Sequence, residues 1–154
     1  MPRPGRPAQC TRAAASARAG HVTHHQHPYE GVIGMPALAE FTAVVIDCAD
    51  PAMLAEFYRK ATGWEITYSD QDFASLGNGG RMQIAFVRIE GYQAPGWPDA
   101  RKHAHLDFTV TDLESTAKEL LALGAAKPEF QTGEGKWVVL TDPEGHPFCL
   151  TTGD

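Results

Sequence analysis

"HLDFTVTDLESTAKELLALGA", residues 105–125, opens with strict alternation and closes with a helical repeat. In the first half Leu106, Phe108 and Val110 share one face of a strand, while His105, Asp107 and Thr109 share the other, and His103 extends that polar face upstream. From Thr111 the apolar residues Leu113, Ala117, Leu120 and Leu121 share one helical face, Thr111 and Glu114 make a capping-box pattern, and Gly124 marks the stop. A strand with one apolar face that runs into an amphipathic helix predicts that both pack on a common core. The opposite face of the strand then carries imidazoles and a carboxylate, side chains able to take a metal ion, a proton or a ligand.

The same order occurs upstream. "LAEFTAVVID" (38–47) is strand-like, and "DPAMLAEFYRKATG" (50–63) is a helix. Asp50 suits its cap, Pro51 its first turn and Gly63 its end, with Leu54, Phe57, Tyr58 and Ala61 on one face. Three strands are expected after each helix: 64–69, 73–77 and 82–89 in the first copy, then near 126–131, 136–141 and 146–151 in the second, the last two joined by a "DPEG" turn. Gly63 and Gly124 lie 61 residues apart, which predicts a duplicated βαβββ unit with modules at about 38–89 and 103–152.

Residues 1–34 differ. They are rich in Pro, Ala, Arg, Gly and His without periodicity, so they read as a disordered or extension tail before a domain at 35–154, and Met35 stands at the junction. Four arginines against Glu30 put +3 on this segment and leave −9 on the rest of a chain whose net charge is −6, which argues against nucleic acid as a partner. Its "HVTHHQHP" run has the donors for an adventitious metal site. No run of about 18 apolar residues is present, so no membrane span is expected. Cys10, Cys48 and Cys149 are odd in number and widely spaced, which fits reduced thiols and a cytoplasmic protein rather than a disulfide framework.

The tandem modules, with "DPAMLAEFYRKATGW", "HLDFTVTDLESTAKELLALGA" and "WVVLTDPEGHPFCL" in order, resemble the vicinal oxygen chelate superfamily of glyoxalase I, bleomycin-resistance proteins and extradiol dioxygenases. The resemblance covers about residues 38–152 and is strongest to the glyoxalase-like branch, through "WPD" and "HLD". It implies an α+β fold in which two βαβββ modules form curved sheets around a cavity, with the helices on the outer face. Leu106, Phe108 and Val110 should then meet the helix, and His103, His105 and Asp107 the cavity. A homodimer is the expected assembly.

Metal-dependent members of that superfamily place His, Gln or Glu ligands on the first and last strands of both modules. The resemblance puts the first such position here at Ala43, which has no donor, the next at His105, another near Gln83 or Ala85, and the last at Cys149, where glutamate is usual. No cofactor is therefore expected; the alternative is one divalent metal ion on His105, Cys149 and Gln83. His105 with Asp107 is the candidate acid/base pair, since a carboxylate beside an imidazole fixes its tautomer. Trp97 and Tyr92, on the long loop 90–102, are the candidate ligand contacts, together with His103, Gln83 and Cys149. Trp64 and Trp137 suit either core or cleft. No GxSxG, P-loop, GxGxxG or HExxH motif is present.

The sequence thus predicts a protein that binds a small, aromatic or polycyclic organic molecule, for resistance or for metal-independent acid/base chemistry. The alternatives are a metal-dependent lyase, isomerase or dioxygenase, and a non-catalytic interaction domain, so whether it is an enzyme stays open at this point.

Overall fold

A computed structural model describes residues 39–152, which fall within one compact unit, Leu38–Asp154. The expectations for the tail and its histidines lie outside the described residues. The elements run β1 (Ala43–Cys48), α1 (Pro51–Thr62), β2 (Glu65–Ser69), β3 (Phe73–Gly77), β4 (Gln83–Arg88), β5 (Leu106–Thr109), α2 (Leu113–Ala122), β6 (Trp137–Thr141) and β7 (Pro147–Thr151). They form a four-stranded sheet in the order β1-β4-β3-β2 and a three-stranded sheet in the order β5-β7-β6. In each, the strand before the helix pairs in parallel with the last strand of its module.

The local chemistry that shapes α1 is the one its sequence carries. The Asp50 side chain accepts from the Met53 N–H, Pro51 opens the helix, and Gly63 takes a left-handed φ of 71° while its N–H donates to the Arg59 carbonyl. The buried face of α1 then reaches both sheets. Tyr58 stacks on Phe86 with centroids 5.3 Å apart and lies 6.3 Å from Phe108, and Phe57 lies 6.2 Å from Phe148. One apolar cluster results, with Leu54, Leu76, Phe86, Leu140, Phe148 and Leu150 at or near zero exposure, and Leu106, Phe108 and Val110 pack against it. The predicted parity of the strand therefore holds.

Two expectations are corrected. The cap of α2 is Asp112, whose carboxylate accepts from the Ser115 N–H at 2.8 Å, and not Thr111 with Glu114, because a carboxylate one residue later reaches the first helical turn. No strand forms near 126–131, where only Ala126 bridges to Thr141. Pro128 has no N–H to offer a ladder, and the Gln131 side chain takes the place of a strand: its Oε1 accepts from the Val139 N–H at 2.9 Å and its Nε2 donates to the Val139 carbonyl at 3.0 Å. The second module is accordingly one strand short of βαβββ.

The turn between β6 and β7 ties the modules together. The Glu144 carboxylate accepts from the backbone N–H groups of Ala49 and Asp50 at 2.6 and 2.7 Å, at the corner where β1 gives way to α1.

Candidate functional site

Strand pairing brings the polar face of β5 beside β7. Asp107 stands opposite Cys149, and Cys149 opposite Val139 on β6, so these side chains project from one side of the sheet while Leu106, Phe148 and Leu140 project from the other. His105, just ahead of β5, keeps the same side, with its Nε2 3.3 Å from Asp107 Oδ1. Trp97, Thr132, Trp137 and Thr151 complete the walls of an open cleft of about 380 Å³.

The two indoles are held in place by their own N–H groups. Trp97 Nε1 donates to the Phe130 carbonyl at 3.0 Å, and Trp137 Nε1 donates to Thr132 Oγ1 at 3.2 Å. The Lys102 ammonium sits 4.9 Å from the Trp97 ring centroid and 3.4 Å from His105 Nδ1. An ammonium only donates, so Nδ1 is the acceptor there and the imidazole proton lies on Nε2, directed at Asp107. The Cys149 thiol is pushed up by burial first, then by the charge of Asp107 and a hydrogen bond with it; Lys102 pulls the other way. His105 Nε2 or Nδ1, a carboxylate oxygen of Asp107 and Cys149 Sγ all lie within 4.8 Å of one another.

Of the candidate residues, the structure gathers His105, Asp107, Cys149 and Trp97 in one cleft. Three others are elsewhere. His103 is exposed and does not line the cleft; it stands three residues ahead of β5, outside the paired strand. Gln83 starts β4 in the other sheet, opposite Ala43, and is not among the cleft residues. Tyr92 is turned toward His146, its hydroxyl 2.7 Å from Nε2. The ligand set that the resemblance implies, drawn from both modules, does not fit: Ala43 has no donor atom, Gln83 stands apart, and a thiol replaces the last oxygen donor.

From the sequence Trp137 suits either core or cleft, and no motif marks Lys102, Thr132 or Thr151 as part of the site. "DPEG" reads as a turn and His146 as the start of a strand, with no motif of a polar cluster there. Asp142, 2% exposed, accepts from Tyr58 OH at 3.1 Å and from His146 Nδ1 at 2.7 Å, while His146 Nε2 lies 2.8 Å from the Asp47 carbonyl. A His four residues after an Asp was the available signal. On the helix side of β5 lies another cavity, about 430 Å³, walled chiefly by Phe57, Tyr58, Phe108, Leu120 and Phe148. The cleft, not this apolar gap in the core, has convergent polar groups.

Comparison with known proteins agrees with the architecture. CFP32 of Mycobacterium tuberculosis (strain CDC 1551 / Oshkosh), provisionally named a glyoxylase, is 29% identical over 103 residues, covering 65% of this chain and 39% of that protein. The chain thus spans about two fifths of the length of the curated relatives it matches. The crystal structure of a glyoxalase/bleomycin resistance protein/dioxygenase family enzyme from Burkholderia phytofirmans PsJN superposes with a TM-score of 0.58 at 19% identity, covering 73% of this chain and 97% of that one. A variant of the fosfomycin resistance protein FosX from Listeria monocytogenes, solved with Mn(II) and a dihydroxypropylphosphonic acid, gives 0.59 at 16% identity, covering 77% and 95%. These structures share the fold of the vicinal oxygen chelate superfamily. The family model of the glyoxalase-like domain matches residues 43–151, and the chain belongs to that family.

Proposed function

We propose that this chain binds a small planar organic molecule, aromatic or polycyclic, in the cleft of its second module. The observation that carries the proposal is the pairing of two anchored indoles, Trp97 and Trp137, with a polar floor of His105, Asp107, Cys149 and Thr151 in one concave site. Indole faces favour flat apolar ligands, and a few convergent polar groups orient them. His105 and Asp107 meet the polar substituent of the ligand. Where that substituent is a weakly acidic C–H or O–H, Asp107 is a base within reach of it and His105 Nε2–H donates to the developing anion. Two free thiols among the described residues, Cys48 and Cys149, suit a reducing, cytoplasmic setting.

Titration of the purified protein with soluble naphthols, hydroxyquinolines and flavonols, followed by tryptophan fluorescence and native mass spectrometry, tests this reading. At least one class is expected to bind stoichiometrically, and Trp97→Ala to weaken it by about tenfold. Saturable binding unaffected by Trp97→Ala and Trp137→Ala would place the ligand elsewhere.

A further inference from the structure

The loop ahead of β5 places a cation at the rim of the cleft. The Lys102 ammonium lies 3.4 Å from His105 Nδ1 and 4.9 Å from the centroid of the Trp97 ring, and both of those side chains line the cleft. The loop itself fixes this placement. The Lys102 N–H donates to the Asp99 carbonyl at 3.2 Å, while the Asp99 carboxylate, the acid nearest to Lys102 in sequence, is taken by the Arg101 guanidinium at 2.7 Å. Arg59, Lys60, Arg81, Arg88 and Arg101 each have a carboxylate within 4.0 Å; Lys102 has none among the described residues. We propose that Lys102 is the anion-recognising group of the cleft, and that the planar ligand is an aromatic acid whose carboxylate, ionised at neutral pH, meets this ammonium.

The seat on the indole prepares the cation for a ligand. The ring quadrupole attracts the ammonium and steadies a flexible stem, so less rotamer freedom is lost when an anion arrives. His105 gives the ammonium only a neutral acceptor, and a carboxylate is a stronger one. The imidazole also stands between the two charges of the site. Lys102 meets its Nδ1 edge and Asp107 its Nε2 edge, so a carboxylate on the Lys102 side is set apart from the acid that would repel it. Burial and then Asp107 push the Cys149 thiol up, and Lys102 pulls it down, so the field of the ammonium reaches the floor of the cleft. A carboxylate joined directly to an aryl ring suits the 4.9 Å between cation and indole, because the ring then faces Trp97 while the anion meets Lys102. The inference rests on the cleft reading above and names its ligand class.

The test compares naphthoate with the nearly isosteric, uncharged naphthamide, each titrated into the full chain by calorimetry at neutral pH. The acid is expected to bind about tenfold more tightly at low salt. That preference should shrink several-fold in about 0.5 M salt, where charges near the surface are screened. Lys102→Met should close the gap by weakening naphthoate about tenfold, and Lys102→Arg should keep it. A merely structural Lys102, one that only steadies Trp97, would instead weaken both probes alike in Lys102→Met and preserve their ratio. Equal affinity for the two probes, binding of the naphthols without binding of naphthoate, or a preference that survives Lys102→Met would overturn the proposal and leave the cleft reading standing. If neither probe binds and the uncharged panel above fails as well, the cleft reading itself is wrong and this inference falls with it.

Discussion

The Tyr92 hydroxyl lies 2.7 Å from His146 Nε2, and the two rings stack with centroids 5.2 Å apart although 54 residues separate them. This contact joins the loop that carries Trp97 to the turn that carries Glu144. His146 Nδ1 donates to the Asp142 carboxylate, which only accepts, while Nε2 lies between the Tyr92 hydroxyl and the Asp47 carbonyl.

That arrangement sets a pH dependence. Burial alone lowers the affinity of His146 for its proton, but the hydrogen bond and charge of Asp142, with the Asp47 carbonyl and Glu144, raise it above the ordinary 6.5. A folded value above the unfolded one means the stabilisation is complete below about pH 6.5 and is lost as pH rises through the folded value. Thermal unfolding between pH 5 and 9 should show this decline (roughly the range around the imidazole value), and His146→Gln should flatten it.

Glu144 should matter to stability more than its place in a turn suggests. Its two oxygens accept from Ala49 and Asp50, and Glu144→Gln leaves one of those N–H groups facing an amide donor. A loss of about 1–3 kcal/mol in denaturant unfolding is expected.

The two faces of β5 should separate stability from binding. Leu106→Ala should cost about 2–3 kcal/mol of stability, the lower end for a leucine because it is only half-buried. His105→Ala should leave the unfolding midpoint nearly unchanged and weaken an aromatic ligand by about 1–3 kcal/mol. Unfolding curves and fluorescence titrations of both variants check the pair.

Gly133 is fixed by close approach. A Cβ there would run into the backbone carbonyl of Trp137, which has no flexible end to move aside. Gly133→Ala should therefore shift the start of β6, cost about 1–3 kcal/mol, and weaken ligand binding by displacing the Trp137 indole, all measurable on one sample by calorimetry.

Periodicity along the chain determined most of the secondary structure. The alternation at 105–110 placed Leu106, Phe108 and Val110 against the core and His105 with Asp107 on the far side, because side-chain direction in a strand depends only on parity. Helix α1, with its Asp50 cap and Gly63 stop, was equally legible, since capping is an interaction between near neighbours in sequence. The region near 126–131 was not: it has a strand's composition, yet the Gln131 amide occupies the Val139 backbone groups that a strand would have used. Which donors share a cleft also lay beyond the sequence. Cys149 meets Asp107, and Gln83 does not, because parallel pairing of β5 with β7 sets that register, and Tyr92 turns to His146 instead of the cleft because Asp142 fixes the imidazole there. Such contacts join residues tens of positions apart, and only the packing of the two sheets on a common core decides them.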